Sequence, residues 1–251
     1  MLQARRLAAH LASTASIQHI FSSDLERAAK TALAVADAAS PRDASADGGV
    51  GSLQVVQDPD LRERDFGSAE GKRWLDGEAR VGDQFVAPET HEQMRVRAER
   101  FVLQRLKPLI EGGDTFGGDM RDATPTTVVV VAHGLILGSL LRVLLRTYAP
   151  SELARLAPPA SSSSTTGHLG IAWSNTGYVE IDVKTTLRDP GVDGTVASRN
   201  EISLVVLRTN VVDHLVGLKK TRGGIGSAKF DSKQKTVDSF FRPVAKKPRA
   251  E

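Results

Sequence analysis

The sequence has no cysteine among its 251 residues. That excludes disulfides, thiolate metal sites and cysteine nucleophiles, and it fits an intracellular protein. Long apolar runs are also missing, because Arg142 and Arg146 break the longest candidate well short of a membrane span. The opening Met1-Leu2-Gln3-Ala4-Arg5-Arg6 is basic, but no apolar signal core follows it. A soluble chain with no membrane partner is expected. What remains is ordinary for a globular protein, at 40% hydrophobic and 25% charged residues. The length suits one medium domain with an extension.

The net charge of +3 hides an asymmetry. Residues 219–251 hold ten Lys/Arg against three Asp/Glu, or +7, which leaves residues 1–218 with 23 basic and 27 acidic groups, or −4. A mildly acidic domain over 1–218 and a basic, disordered tail over 219–251 are therefore expected to meet different partners.

Within the domain the organising stretch is Thr127-Val128-Val129-Val130-Val131-Ala132-His133-Gly134, followed by a leucine-rich run through Leu145. Four consecutive valines predict a strand buried on both faces of a parallel sheet, and the leucines predict a buried helix. A strand turning directly into a helix puts His133 at the carboxyl edge of the sheet, beside a helix N-terminus that favours anions. Gly134 would permit a tight turn there. Upstream, residues 3–15 read as helix and Ile17–Phe21 as a strand. Ser22-Ser23-Asp24 then supplies cap residues for a helix through Ala38. Arg27 falls in the first turn of that helix, where a cation opposes the macrodipole. It either meets a bound anion or pairs locally with Asp24 or Glu26.

Leu53–Val56 reads as a short strand. Asp58 to Gly71 is a charged loop, and its Asp65-Phe66-Gly67 lacks every companion motif of a protein kinase. Glu89-Thr90 opens a capped amphipathic helix reaching Leu109 and carrying Arg97. Two late strands, Gly177–Val183 and Glu201–Thr209, look like an antiparallel pair. Together these predict an α/β fold: a three-layer sandwich whose mostly parallel, mixed central sheet is flanked by helices.

Three separated pieces carry a resemblance. Phe21-Ser22-Ser23-Asp24-Leu25-Glu26-Arg27-Ala28, Leu61-Arg62-Glu63-Arg64-Asp65-Phe66-Gly67 with Glu70-Gly71, and Ala132-His133-Gly134 resemble, in order, segments of the histidine phosphatase superfamily, the phosphoglycerate-mutase-like proteins. Glu89-Thr90 with Arg97 resembles the helix between them, and the match covers about residues 1–215. In that family a histidine attacks a phosphoryl group, and water or a second substrate resolves the phosphohistidine. The resemblance implies that Arg27 clamps the phosphate, His133 stabilises it, and Glu63 protonates the leaving group and then activates water. The substrate would be a phosphorylated small molecule or phosphoprotein, and no metal or organic cofactor is implied. Phosphatase and mutase activity stay equally open.

One piece of the family pattern is absent. Its nucleophile sits in an arginine-histidine-glycine motif at the end of a first strand, and none of His10, His19, His91, His168 or His214 has that setting. His10 and His19 read as surface or helix-end histidines. The expectation is a domain without its first strand, leaving the edge of the valine strand open. The polypeptide as written would be inactive, either as a shortened form of an active phosphatase or as a non-catalytic adaptor in DNA replication or repair.

In the tail, Gln234-Lys235-Thr236-Val237-Asp238-Ser239-Phe240-Phe241 resembles the PIP box, the peptide that binds the DNA sliding clamp PCNA. Its spacing gathers Val237, Phe240 and Phe241 into one apolar plug, with Gln234 for a polar notch. The alternative is that the two phenylalanines cover a patch on the parent domain. Lys246-Lys247-Pro248-Arg249 resembles a nuclear-import signal, so the nucleus is the expected compartment, with the cytoplasm second; plain solvated charge is the alternative. Gly224-Ile225-Gly226 lacks the third glycine and βαβ setting of a dinucleotide site. No base-reading module is visible, so nucleic-acid contact is expected only as non-specific attraction of the tail to phosphates.

Overall fold

The valine strand has side chains on both faces, so two apolar layers must cover it. The computed structural model describes residues 1–40, 53–70, 85–112, 126–157, 169, 171–187 and 200–218. In it Thr127–Val131 (β3) lies parallel to Ile17–Ser22 (β1), which in turn lies parallel to Val55–Gln57 (β2). The strand order is β2-β1-β3. On one face Val129 and Val131 join Ile17 and Ile20 against Ala8 of the helix Leu2–Thr14 (α1) and Ala32, Val35 and Ala36 of the helix Glu26–Ala39 (α2). Alanines at these contacts let the two helices lie close together. On the other face Val128, Val130 and Ala132 join Phe21 against two further helices. These are His91–Phe101 (α3) and the leucine-rich Gly134–Tyr148 (α5). Alternate valines therefore go to opposite layers, and the expected α/β sandwich is what forms.

Between them, the backbone of α3 passes through a π-helical stretch, Val102–Leu106, into Lys107–Glu111 (α4). Thr90 caps α3 by accepting the Gln93 amide at 3.1 Å, while Gln93 Oε1 accepts the Thr90 amide at 2.7 Å. Phe101 is fully buried and meets Phe21 edge-on, with ring centroids 5.6 Å apart. Pro150–Leu156 (α6) follows α5.

The late strands differ from expectation in their placement. Tyr178–Leu187 (β4) and Asn200–Val211 (β5) pair antiparallel, but they make a separate two-stranded sheet rather than extending the parallel one. A strand joins a sheet through its backbone, and the outer edge of β3 pairs with none of the described strands. The hairpin is held by side chains instead: Val179, Ile181, Leu204 and Val206 pack into the same cluster as α5.

The hairpin also reaches α1. Arg6 Nη1 donates to the Val216 carbonyl at 2.8 Å, and His10 Nε2 lies 2.9 Å from the Tyr178 hydroxyl. His10 is thus a half-buried joint rather than a surface histidine, and His19 lies within β1 rather than at a helix end. The His10 and His214 rings are 5.9 Å apart, and His214 Nε2 lies 3.0 Å from Thr176 Oγ1. Among the described residues no helix is long and apolar enough to cross a membrane.

Burial pushes the His214 imidazole below its ordinary value of 6.5, with His10 adding to the lowering and Asp213 opposing it. The folded chain therefore keeps this ring neutral where an unfolded histidine takes up a proton. Its stabilisation is complete above about pH 6.5 and is lost as pH falls towards the lowered folded value. Urea midpoints should drop between about pH 7.5 and 5.5, and His214→Gln should make that drop shallower. An unchanged slope would remove His214 from the acid response.

Candidate functional site

Both central strands deliver their next residues to one place. Ser22 is in register with Val131, so the chain leaves β1 at Ser23 and leaves β3 at Ala132 and His133. The Ser23 amide continues the ladder to the Val131 carbonyl at 2.9 Å. His133 is the residue preceding α5, with extended backbone and only 7% of its surface exposed. Its Nε2 lies 3.1 Å from Ser23 Oγ. Gly134 has no left-handed backbone, and a methyl group there would meet Trp173 Cβ at an ordinary 3.6 Å. The turn does not use the conformational freedom of glycine.

Glu63 arrives from the segment after β2. Its carboxylate caps α5 loosely, accepting the Leu135 and Ile136 amides at 3.4 Å, and accepts its neighbour Arg64 N at 3.0 Å. A carboxylate is favoured there by the helix dipole. Burial is the main force holding the His133 imidazole below its ordinary 6.5. The Glu63 carboxylate pulls upward, and Arg27 and Arg97 push further down. Arg27 and Glu63 thus both lie within electrostatic reach of His133.

Arg27 is exposed in the first turn of α2, and its side chain makes no hydrogen bond or ion pair among the described residues. Both acids that might have held it are taken. Asp24 binds Arg62 through two hydrogen bonds, which hold its carboxyl below the usual range, and Glu26 pairs with Lys30. Asp24 therefore does not cap α2; Leu25 precedes that helix, and its amide donates to Ser23 Oγ at 3.2 Å.

The segment presenting Glu63 is held by arginines from α3 and the turn after it. Arg97 binds Glu89 through Nε at 2.6 Å and Nη2 at 2.9 Å, while its Nη1 donates to the carbonyls of Asp60 and Arg62, each at 2.6 Å. Arg100 pairs with Asp60 and Arg105 with Asp58. Arg64 Nε donates to the Glu89 carbonyl at 2.7 Å, and the Glu89 amide donates to Asp65 O at 2.7 Å. Gly67 sits at φ +54°, and a Cβ there would strike the Val86 carbonyl at 2.3 Å, so this position does require glycine. Beside Glu63 opens a cleft of about 390 Å³ whose walls include Arg62, Asp65, Glu89, Gln93 and Arg97. Among the described residues no three His, Asp or Glu side chains gather as metal ligands.

The sequence singled out His133, Glu63 and Arg27; it missed Ser23 as a partner of His133 and the arginine clamp on the Glu63 segment. Gln234, Val237, Phe240, Phe241, Lys246, Lys247 and Arg249 lie outside the described residues.

The sequence model of the histidine phosphatase superfamily (branch 1) matches residues 1–173. A probable phosphatase of Schizosaccharomyces pombe is 32% identical over 114 residues, covering 45% of this chain and 29% of that protein. Phosphoglycerate mutase-like protein 4 of Arabidopsis thaliana is 29% identical over 150 residues, 55% of each chain. A probable phosphoglycerate mutase of Serratia proteamaculans is 28% identical over 182 residues, 69% of this chain and 74% of that one. The chain thus spans less than two thirds of the first two relatives. A solved structure described as mycobacterial hydrolase 1 shares the fold at a TM-score of 0.50 and 20% identity, covering 83% of this chain and 84% of that one.

Arg97 and Glu89 are mostly buried, their side chains 12% and 15% exposed. Removing one partner of such a pair strands the other charge, so Arg97→Ala should cost about 3 kcal/mol by chemical denaturation. The exposed Arg155–Glu152 pair on α6 is the control, and Arg155→Ala should leave the midpoint unmoved.

Proposed function

The chain belongs to the histidine phosphatase superfamily, and on that footing we propose that Arg27, Glu63 and His133 form the phosphate-holding half of a site for phosphate monoesters. The observation that carries this reading is a buried histidine just before α5, with the Glu63 carboxylate against the same turn and Arg27, whose side chain is unpaired among the described residues, within electrostatic reach of the ring. A phosphoryl transition state spreads negative charge over its equatorial oxygens, and a leaving oxygen needs a proton. Arg27 and the His133 ring answer the first need and Glu63 the second. Glu89 and Asp65 also face the cleft, but Arg97 binds Glu89 through two hydrogen bonds and Asp65 Oδ1 accepts the Gly67 amide, whereas Glu63 is the carboxylate set against the start of α5 beside His133.

The full covalent reaction has two balanced steps. A histidine nitrogen bonds to phosphorus as the P–O bond to the leaving group breaks, and the leaving oxygen takes a proton from Glu63. Water then attacks phosphorus, giving its proton back to Glu63 as the P–N bond breaks. The attacking histidine belongs to an arginine-histidine-glycine segment, which these 251 residues do not contain. The outer edge of β3, which pairs with none of the described strands, is where a strand carrying that segment would hydrogen-bond. We therefore propose that this polypeptide binds phosphate but turns over monoesters near background.

Calorimetric titration of the full chain with inorganic phosphate should give saturable binding. Arg27→Ala should weaken it at least tenfold, or about 1.4 kcal/mol. Absent binding, or binding indifferent to Arg27, removes the site. Turnover of a chromogenic phosphate monoester that disappears in His133→Ala would show that the chain is active without an arginine-histidine-glycine segment.

The tail supports a second, compatible reading as an adaptor in DNA replication or repair. We propose that Gln234, Val237, Phe240 and Phe241 dock on the PCNA clamp, with the neighbouring lysines steering towards an acidic surface. Lys246, Lys247 and Arg249 would supply nuclear import. Titrating the full chain against PCNA should give saturable binding that Phe240→Ala with Phe241→Ala abolishes. Equal binding by parent and double variant would sink the docking reading.

A further inference from the structure

Ser23 and its neighbour Ser22 have no exposed surface. The Ser23 backbone is pinned on both sides: its amide bonds the Val131 carbonyl at 2.9 Å, and its carbonyl accepts Ser22 Oγ at 2.8 Å. Its hydroxyl oxygen has two polar neighbours among the described residues, the Leu25 amide at 3.2 Å and His133 Nε2 at 3.1 Å. A serine hydroxyl offers one O–H and two lone pairs. The Leu25 amide can only donate, so it takes one lone pair. If Nε2 of a neutral His133 carried the ring proton, it would take the second, and the serine O–H would be left buried without an acceptor. Such an unmet donor is penalised. If Nε2 is bare, the O–H has its acceptor and every group is satisfied.

We infer that Ser23 is a positioning residue for His133: its hydroxyl donates to Nε2, fixes the ring plane and holds the neutral imidazole as the Nδ1–H tautomer. His133 Nδ1 makes no hydrogen bond among the described residues, where the sealed, unpartnered side-chain atom is His214 Nδ1 instead. In this proposal Nδ1 is the ring nitrogen left for a ligand, since Nε2 faces Ser23. The outer nitrogen then presents a fixed N–H to an anion even while the ring is uncharged, and burial favours that neutral form. The consequence for phosphate rests on the proposed function; the tautomer itself does not.

Two measurements on the full chain separate these claims. Two-bond 15N–1H correlation spectra, recorded above the pH at which His133 titrates, should show a bare Nε2 and a protonated Nδ1. Ser23→Ala should move the ring to a mixture containing Nε2–H, and Ser23→Thr, which keeps the hydroxyl, should restore the parent pattern. A protonated Nε2 in the parent, or identical ring shifts in parent and Ser23→Ala, overturns the assignment. Should the alanine variant not fold, the parent spectrum alone decides the tautomer. Titration with inorganic phosphate should then show about tenfold weaker binding for Ser23→Ala and a loss under about twofold for Ser23→Thr. Equal phosphate binding by parent and Ser23→Ala overturns the positioning role. A parent that shows the bare Nε2 but binds no phosphate upholds the tautomer and overturns the proposed function instead.

Discussion

The parallel register of β1 against β3 governs this molecule. Phe21 stands opposite Val130 and Ser22 opposite Val131, so both chains leave the sheet at the same level. Ser23 then lies under His133, α2 begins four residues past β1, and α5 begins at Gly134. A slip of one residue would turn Val129 and Val131 towards the α5 layer and Val128 and Val130 towards α2, exchanging faces whose partners differ in bulk. The same slip would part Ser23 from His133. Packing of the valine side chains thus fixes the polar geometry at the sheet edge.

Above that edge the arrangement depends on charge. Carboxylates at 58, 60 and 89 meet arginines at 105, 100 and 97, so the segment between β2 and the Glu63 loop is laced to the helical run that starts at α3. In the Arg100–Asp60 and Arg105–Asp58 pairs the carboxylate is buried but the guanidinium is half exposed, so water still competes for the cation. Arg97 differs because it is largely enclosed and because one nitrogen bridges two backbone carbonyls, at Asp60 and Arg62. Those carbonyls lie three residues and one residue before Glu63. Arg97 consequently orders the backbone that aims the carboxylate, while adding positive potential next to His133.

Much of this was legible in the residue order. Four valines and a leucine run pointed to β3 and α5, and Ser22-Ser23-Asp24 announced α2. Glu89-Thr90 marked the start of α3, where the capping pair is local in sequence. Arg27, Glu63 and His133 were brought together as candidates only by a family pattern, since nothing local connects positions so far apart. What stayed hidden were the long-range choices. Asp24 had two nearby cations to choose from and took Arg62 instead of Arg27, because the loop after β2 passes over the start of α2. Ser23 looked like a helix cap, and its hydroxyl does take one amide of that turn, but tertiary packing put a histidine on its other side. The separate hairpin could not be foreseen either. Alternation of side chains identifies a strand, but does not say which backbone edge will be free to receive it.

The electrostatics of His133 suggest how the proposed phosphate half-site would respond to its ligand. Residues 1–218 carry a net −4, so an anion is not drawn in by the domain as a whole and must be held locally. Empty, the site has its imidazole neutral, because burial and two guanidinium groups outweigh Glu63. An entering phosphate brings negative charge against the same ring, and opposite charge favours the protonated form. Binding and proton uptake are then linked, each strengthening the other. Nε2 is the nitrogen that would take the proton, which obliges the Ser23 hydroxyl to turn from donor to acceptor. Ser23 therefore resists the charged ring until an anion is present to offset the lost hydrogen bond, and the site gains its second positive charge only when phosphate occupies it.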